Sequence, residues 1–181
     1  MSETEEHHQV LLDAAATVAT AVIDTLRDSE GCLHSETAIA AIAATAGALL
    51  LRQVLNTELD GLEPGSVVLV DEINDQGMEL LGYAMNEAAG LDIEWDASGD
   101  DVPDEHRPRE SEADLVRTVE PTVVKVLTKL EVERSLWPRC CILSALDVVV
   151  RTRDVLDPTV ATNIIASSLV AGCKTVPYPA T

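Results

Sequence analysis

The sequence predicts an all-α protein, a single-domain bundle of about six helices packed around a buried Ala- and Leu-rich central helix. Three observations carry that expectation. Apolar residues recur at three- and four-residue steps through most of the chain, which is the helical rather than the strand period. The run from Thr37 to Leu51 carries no charge and is apolar on every side, and a helix without a polar face is a buried one. Hydrophobic residues make up 46% of the 181 positions, yet the aromatics are only Tyr83, Trp95, Trp137 and Tyr178 and Phe is absent, so the core must be built from small aliphatic side chains. That length gives one ordinary domain with a sizeable core and no need of disulfides.

The first helix runs from Glu5 to Leu26, with Leu11, Ala14, Ala15, Val18, Val22 and Leu26 forming its apolar stripe and Gly31 following as a stop. Ser35 is placed to cap a second helix reaching to about Leu59. Leu62-Glu63-Pro64-Gly65 reads as a turn. From Val67 to Ala89 a helical wheel puts Val70, Ile73, Gly77, Met78, Leu80, Leu81, Ala84, Met85 and Ala88 on one half, and Asp71, Glu72, Asp75, Gln76, Glu79, Asn86 and Glu87 on the other. A third helix ending at Gly90 follows, although Val68 and Leu69 would fall on its polar half and leave room for a short extended piece. Residues 91–112 hold nine acids against Arg107 and Arg109, with Pro103, Pro108 and Gly99 interspersed, the composition of an acidic surface loop. Ser111-Glu112-Ala113-Asp114 is a capping box for a fourth helix carrying Leu115, Val119, Val123, Val126, Leu127 and Leu130, which Pro121 should kink or restart. Pro138 suits the first turn of a fifth helix, with Asp147 and Arg151 paired one turn apart. Asp157-Pro158 opens a sixth, running through Ile164, Ile165, Ser168 and Leu169 to Gly172; residues 173–181 are expected to form an irregular tail.

Twelve Lys and Arg against thirty-two Asp and Glu leave a formal charge of −20. A surface of that sign argues against nucleic acid as a ligand, because phosphate binding depends on cationic side chains releasing counterions. The same charge suits a salty cytoplasm or solubility by self-repulsion. The amino-terminal Met1-Ser2-Glu3-Thr4-Glu5-Glu6 is acidic where an export or transit sequence would be basic, and Thr37–Leu51 is too short to cross a bilayer, so a soluble cytoplasmic protein without a membrane role is expected. In that compartment Cys32, Cys140, Cys141 and Cys173 are expected to be thiols.

Several motifs invite a chemical reading. Val67-Val68-Leu69-Val70-Asp71-Glu72 has the outline of a Walker B strand, but the glycine-rich phosphate loop with its lysine is missing, so an ATPase is not expected. Glu72, Asp75 and Glu79 lie one turn apart and place three carboxylates on one helical face, the kind of surface from which all-α phosphohydrolases chelate Mg²⁺. The second helix supplies no opposing Glu-x-x-Glu, and Glu3-x-x-Glu6 sits at the amino terminus. Glu5-x-x-His8 has the spacing of a di-iron ligand pair without a second copy. Cys32, His34, Cys140 and Cys173 are too scattered to predict a zinc cluster. Arg139-Cys140-Cys141 at a helix start would lower a thiol pKa through the dipole and the arginine, against the common role of helical cysteines as small buried hydrophobes.

With no complete catalytic constellation, the sequence favours a non-enzymatic interaction module without a cofactor. It is expected to self-associate, as a homodimer, through helices near the second or sixth, and another protein is a further possible partner. The alternative is an Mg²⁺-dependent phosphohydrolase using Glu72, Asp75 and Glu79.

Overall fold

The computed structural model describes residues 3–55, 59, 61–95 and 102–179, with side chains from Glu6 onward. Six helices build an all-α bundle: α1 (Glu3–Leu26), α2 (Ser35–Leu55), α3 (Asp71–Gly90), α4 (Glu112–Lys129), α5 (Trp137–Thr152) and α6 (Pro158–Lys174). The central helix is α2, buried at every position from Thr37 to Leu51 and touched by all five other helices, most extensively by α6. Two polar side chains are buried on it: Thr45 donates its hydroxyl to the Ala41 carbonyl, and the Thr37 hydroxyl is hydrogen-bonded to His34 and the Arg109 amide, so neither is unpaired. The five neighbours enclose this run within one chain, and α2 therefore offers no apolar face to a second copy. By length and composition both 6–26 and Ser35–Leu55 could cross a membrane. The second is the core helix of this bundle, and α1 carries Asp13, Thr17, Thr20 and Asp24 outside its buried stripe.

Glycine sets how closely α2 and α6 approach. A Cβ on Gly172 would stand 2.2 Å from the Ala44 carbonyl oxygen, and one on Gly47 would stand 2.4 Å from that of Leu169. Gly172 is thus a contact residue inside α6 rather than its stop, and the helix continues to Lys174. At the far end of α2, the Arg52 guanidinium grips Glu120 of α4 with both arms (2.7 and 3.1 Å) and donates to the Tyr178 carbonyl. The 7% exposure of Glu120 means that Arg52 is what makes its burial tolerable.

Local expectations hold with instructive exceptions. Asp157 caps α6 by accepting from Thr159 N–H, Ser111 caps α4, and Asp147 pairs with Arg151. The cap of α2 is His34 rather than Ser35, its Nδ1 accepting the Thr37 N–H at 3.3 Å. The helix ends at Leu55, and the expected extension over 56–58 lies outside the described residues. Pro121 stays within a continuous α4. The loop over 91–112 lies at the surface as far as it is described and includes a short 3₁₀ turn at Asp104–His106; residues 96–101 lie outside the description.

The third helix starts four residues later than its wheel suggested. Ser66 to Val70 is extended and runs antiparallel to the tail: Val68 N–H donates to the Lys174 carbonyl (2.8 Å) and Val176 N–H to that of Ser66 (2.9 Å), around a Val67–Thr175 bridge. Thr175 and Val176 are thereby tied to residues 66–68, while 176–179 carry no regular element, and Gly65, at φ +85°, makes the turn that brings the two segments together.

Candidate functional site

The expected metal ligands are placed by the first half of α3. Glu72, Asp75 and Glu79 are exposed on its outer side, with Gln76 donating to Glu72 at 3.2 Å. Contact between α1 and α3 at His8 and Glu87 places the start of α1 beside the end of α3. Residues 75 and 87 are about 18 Å apart along a helix. Glu6, at the same end of α1 as His8, is thus at the wrong end of α3 to face these acids, and the side chain of Glu3 lies outside the described residues. Among the described residues no group of three or more His, Cys, Asp or Glu side chains is arranged to hold a metal ion. The side chain of Glu5 lies outside the described residues, and its neighbour His8 approaches Glu87 at 3.6 Å.

Cysteine chemistry goes against the dipole argument. Burial pushes the Cys140 thiol up to about 12 and that of Cys173 up to about 11, and Cys141 is raised as well. Arg139, expected to activate Cys140, instead lies over the Tyr83 ring, 5.3 Å from its centroid. Desolvation outweighs the helix dipole, and these cysteines pack as small hydrophobes.

Two histidines gather at the start of α2. His106 Nδ1 lies 3.0 Å from Glu36 Oε1, and His34 Nε2 3.5 Å from Glu36 Oε2. The Thr37 hydroxyl accepts from Arg109 N–H (3.1 Å) and reaches His34 Nδ1 at 2.7 Å, so the ring nitrogen that caps the helix is an acceptor and carries no proton. Burial lowers the His34 pKa; Glu36 opposes this, while Arg109 and His106 add to it. For Glu36, burial pulls upward, but the hydrogen bond from His106, that from its own backbone and the two histidine charges leave it lowered. This cluster fastens residues 106–109 to the bundle.

A cleft of about 410 Å³ opens between α1, α3 and α5. Glu87 and Asp147 supply its acids, His8 stands at one side, and Leu12, Leu143 and Val150 are among its apolar walls. Tyr83, one turn before Glu87, is half-buried; burial first, then the Glu87 carboxylate, raise its phenol so that it stays a donor. The wheel assigned Glu87 to the solvated half, whereas it stands only about 40° from buried Ile73. That angle, together with Tyr83 one turn earlier, was the available signal for this cleft.

The strand-like piece 66–70 is the other exposed feature. Val67 and Leu69 turn outward, 71% and 75% exposed, while Ser66, Val68 and Val70 turn inward. Because Val68 N–H and Ser66 C=O face the tail, the amide groups of Val67 between them face the opposite way, and neither Val67 nor Leu69 is hydrogen-bonded through its backbone to a described residue. Met78, expected inward, is 64% exposed, since it stands about 140° from Ile73 on the wheel.

Neither a protein-family model, nor a curated protein, nor a solved structure matches this chain.

Proposed function

We propose that the chain is a non-enzymatic, cytoplasmic interaction module that self-associates as a homodimer through the open edge of residues 66–70. The observation that carries this reading is the outward row of Val67 and Leu69 on an unpaired strand edge. Open edges are templates for another strand, and proteins that keep them unpaired protect them with lysine, proline or charge. Residues 66–70 contain none of these.

A second copy is the occupant that fits. With −20 on each chain, two copies must meet where charge is sparse, and from Pro64 to Val70 there is none. A two-fold axis through Val68 sets Val67 opposite Leu69 of the other copy as hydrogen-bonded pairs, since those residues carry the free amides. The apolar side chains then lie together on one face, and Asp71 falls opposite Gly65 rather than opposite another acid.

Sedimentation equilibrium at micromolar concentration tests the reading. Wild type is expected at twice the chain mass and Val67→Lys/Leu69→Lys at the chain mass, with unchanged helical circular dichroism. A monomeric wild type, or a dimer that the double substitution leaves intact, would overturn it.

A further inference from the structure

The cleft between α1, α3 and α5 plays no part in strand pairing, and its chemistry is specific enough to name a ligand class. Its volume of about 410 Å³ falls in the range of small-molecule sites, and its walls are mainly apolar. Two carboxylates from different helices border it. Among the described residues Glu87 has no arginine or lysine in ion-pair contact, and His8 approaches it at 3.6 Å. Asp147 is held in an ion pair by Arg151, whose Nη2 stands 2.5 Å from its Oδ2. Arg151 is also committed to α1, where it donates to Thr20 and the Ala16 carbonyl. Arg139, the remaining cation nearby, is held over Tyr83. Two carboxylates and no lysine or arginine therefore stand among the described residues that line the cleft.

A hydrated metal ion fits such a place poorly: Leu12, Leu143 and Val150 offer no oxygen ligands, and no metal-holding group forms among the described residues. An organic cation fits both halves of the lining. Its charged head replaces water at the carboxylates, and its hydrocarbon part covers the aliphatic wall. We propose that this cleft binds a small organic monocation with an apolar body, an alkylammonium in the simplest case, its head taken by Glu87 and Asp147 and its chain lying along Leu12, Leu143 and Val150.

Isothermal titration of the full chain with n-hexylamine, n-hexanol and hexanoate, at constant ionic strength near neutral pH, tests this. Hexylamine is expected to bind saturably with one site per chain, and the alcohol and the acid about tenfold or more weaker. Glu87→Gln should weaken hexylamine by about tenfold or more, whereas Asp75→Asn, remote from the cleft on the outer face of α3, should leave it unchanged. Amide NMR shifts should concentrate at Ala15, Ala16, Gly90 and Leu91. Absent or unsaturable binding would overturn the proposal. So would equal affinity for hexanol, equal loss in both variants, or shifts centred elsewhere. A monomeric wild type in sedimentation would overturn strand pairing without touching this site.

Discussion

Replacing Gly172 with alanine adds one methyl group, and the structure gives its consequence in ångströms. The new Cβ would stand 2.2 Å from the Ala44 carbonyl oxygen and 2.9 Å from the Ala44 Cα and carbonyl carbon. Ordinary contact begins near 3.4 Å. The obstacle is the backbone of the buried central helix, so no side chain can swing aside, and α6 must retreat by about 1 Å. A gap of that size forfeits roughly a quarter to a half of the dispersion energy of each atom pair along the seam. Overpacking of this kind costs about 1–3 kcal/mol and more where backbone is struck, against about 1 kcal/mol gained from the better helix former. Because backbone is struck, the expected net loss lies at the upper end, about 1–2 kcal/mol, or a melting temperature lower by about 2–8 °C for a chain of this size. Gly82→Ala is the internal control: nothing lies within 4 Å of its Cβ, so the same chemical change in α3 should stabilise by about 0.5–1 kcal/mol. Gly77→Ala, at ordinary contact distance (3.4 Å) from the Cys173 sulfur, should fall between them. Urea unfolding of the three variants measures all of this. A Gly172→Ala protein as stable as wild type would refute the close α2–α6 crossing.

Other expectations follow from single contacts. Removing either partner of the Arg52–Glu120 pair should cost about 2–4 kcal/mol by leaving a buried or half-buried charge, while Arg52→Met/Glu120→Leu together should come within about 1 kcal/mol of wild type; a denaturant double-mutant cycle reads the difference. His34 has a folded pKa below its ordinary 6.5, so the unfolded chain takes up a proton first and this residue's stabilisation is lost as pH falls below 6.5. His34→Asn keeps a capping acceptor and should flatten that slope in thermal melts, and an unchanged slope would contradict the acceptor role. Millimolar Mg²⁺ should raise the melting temperatures of wild type and Asp75→Asn equally; a shift confined to wild type would favour the phosphohydrolase reading instead.

The helices were legible because their periodicity is local. The wholly apolar run in α2, the Ser111 and Asp157 caps and the first-turn Pro138 each report on their own neighbourhood. What the sequence misplaced depends on distant partners. Residues 66–70 are extended because the tail, more than a hundred residues later, supplies their hydrogen-bond partners. Gly172 resembles a helix stop, yet it is glycine because the Ala44 backbone lies against it. Cys140 sits where a dipole would activate a thiol, but the bundle closes over it. The sequence places a self-association face near the second or sixth helix; α2 is covered by its neighbours within the chain, whereas Val67 and Leu69 stand exposed.

Cysteine cross-linking tests that edge and its register together. In a Cys32→Ser background, Val67→Cys/Leu69→Cys places thiols on residues that the two-fold axis makes direct neighbours, at a Cα separation of about 5.5 Å, within disulfide reach. Val67→Cys alone faces its own copy at about 8 Å, beyond that reach. Non-reducing mass measurement after mild oxidation should give covalent dimer for the double variant and monomer for the single one. Monomer from both, or equal dimer from both, would contradict pairing through Val67 and Leu69.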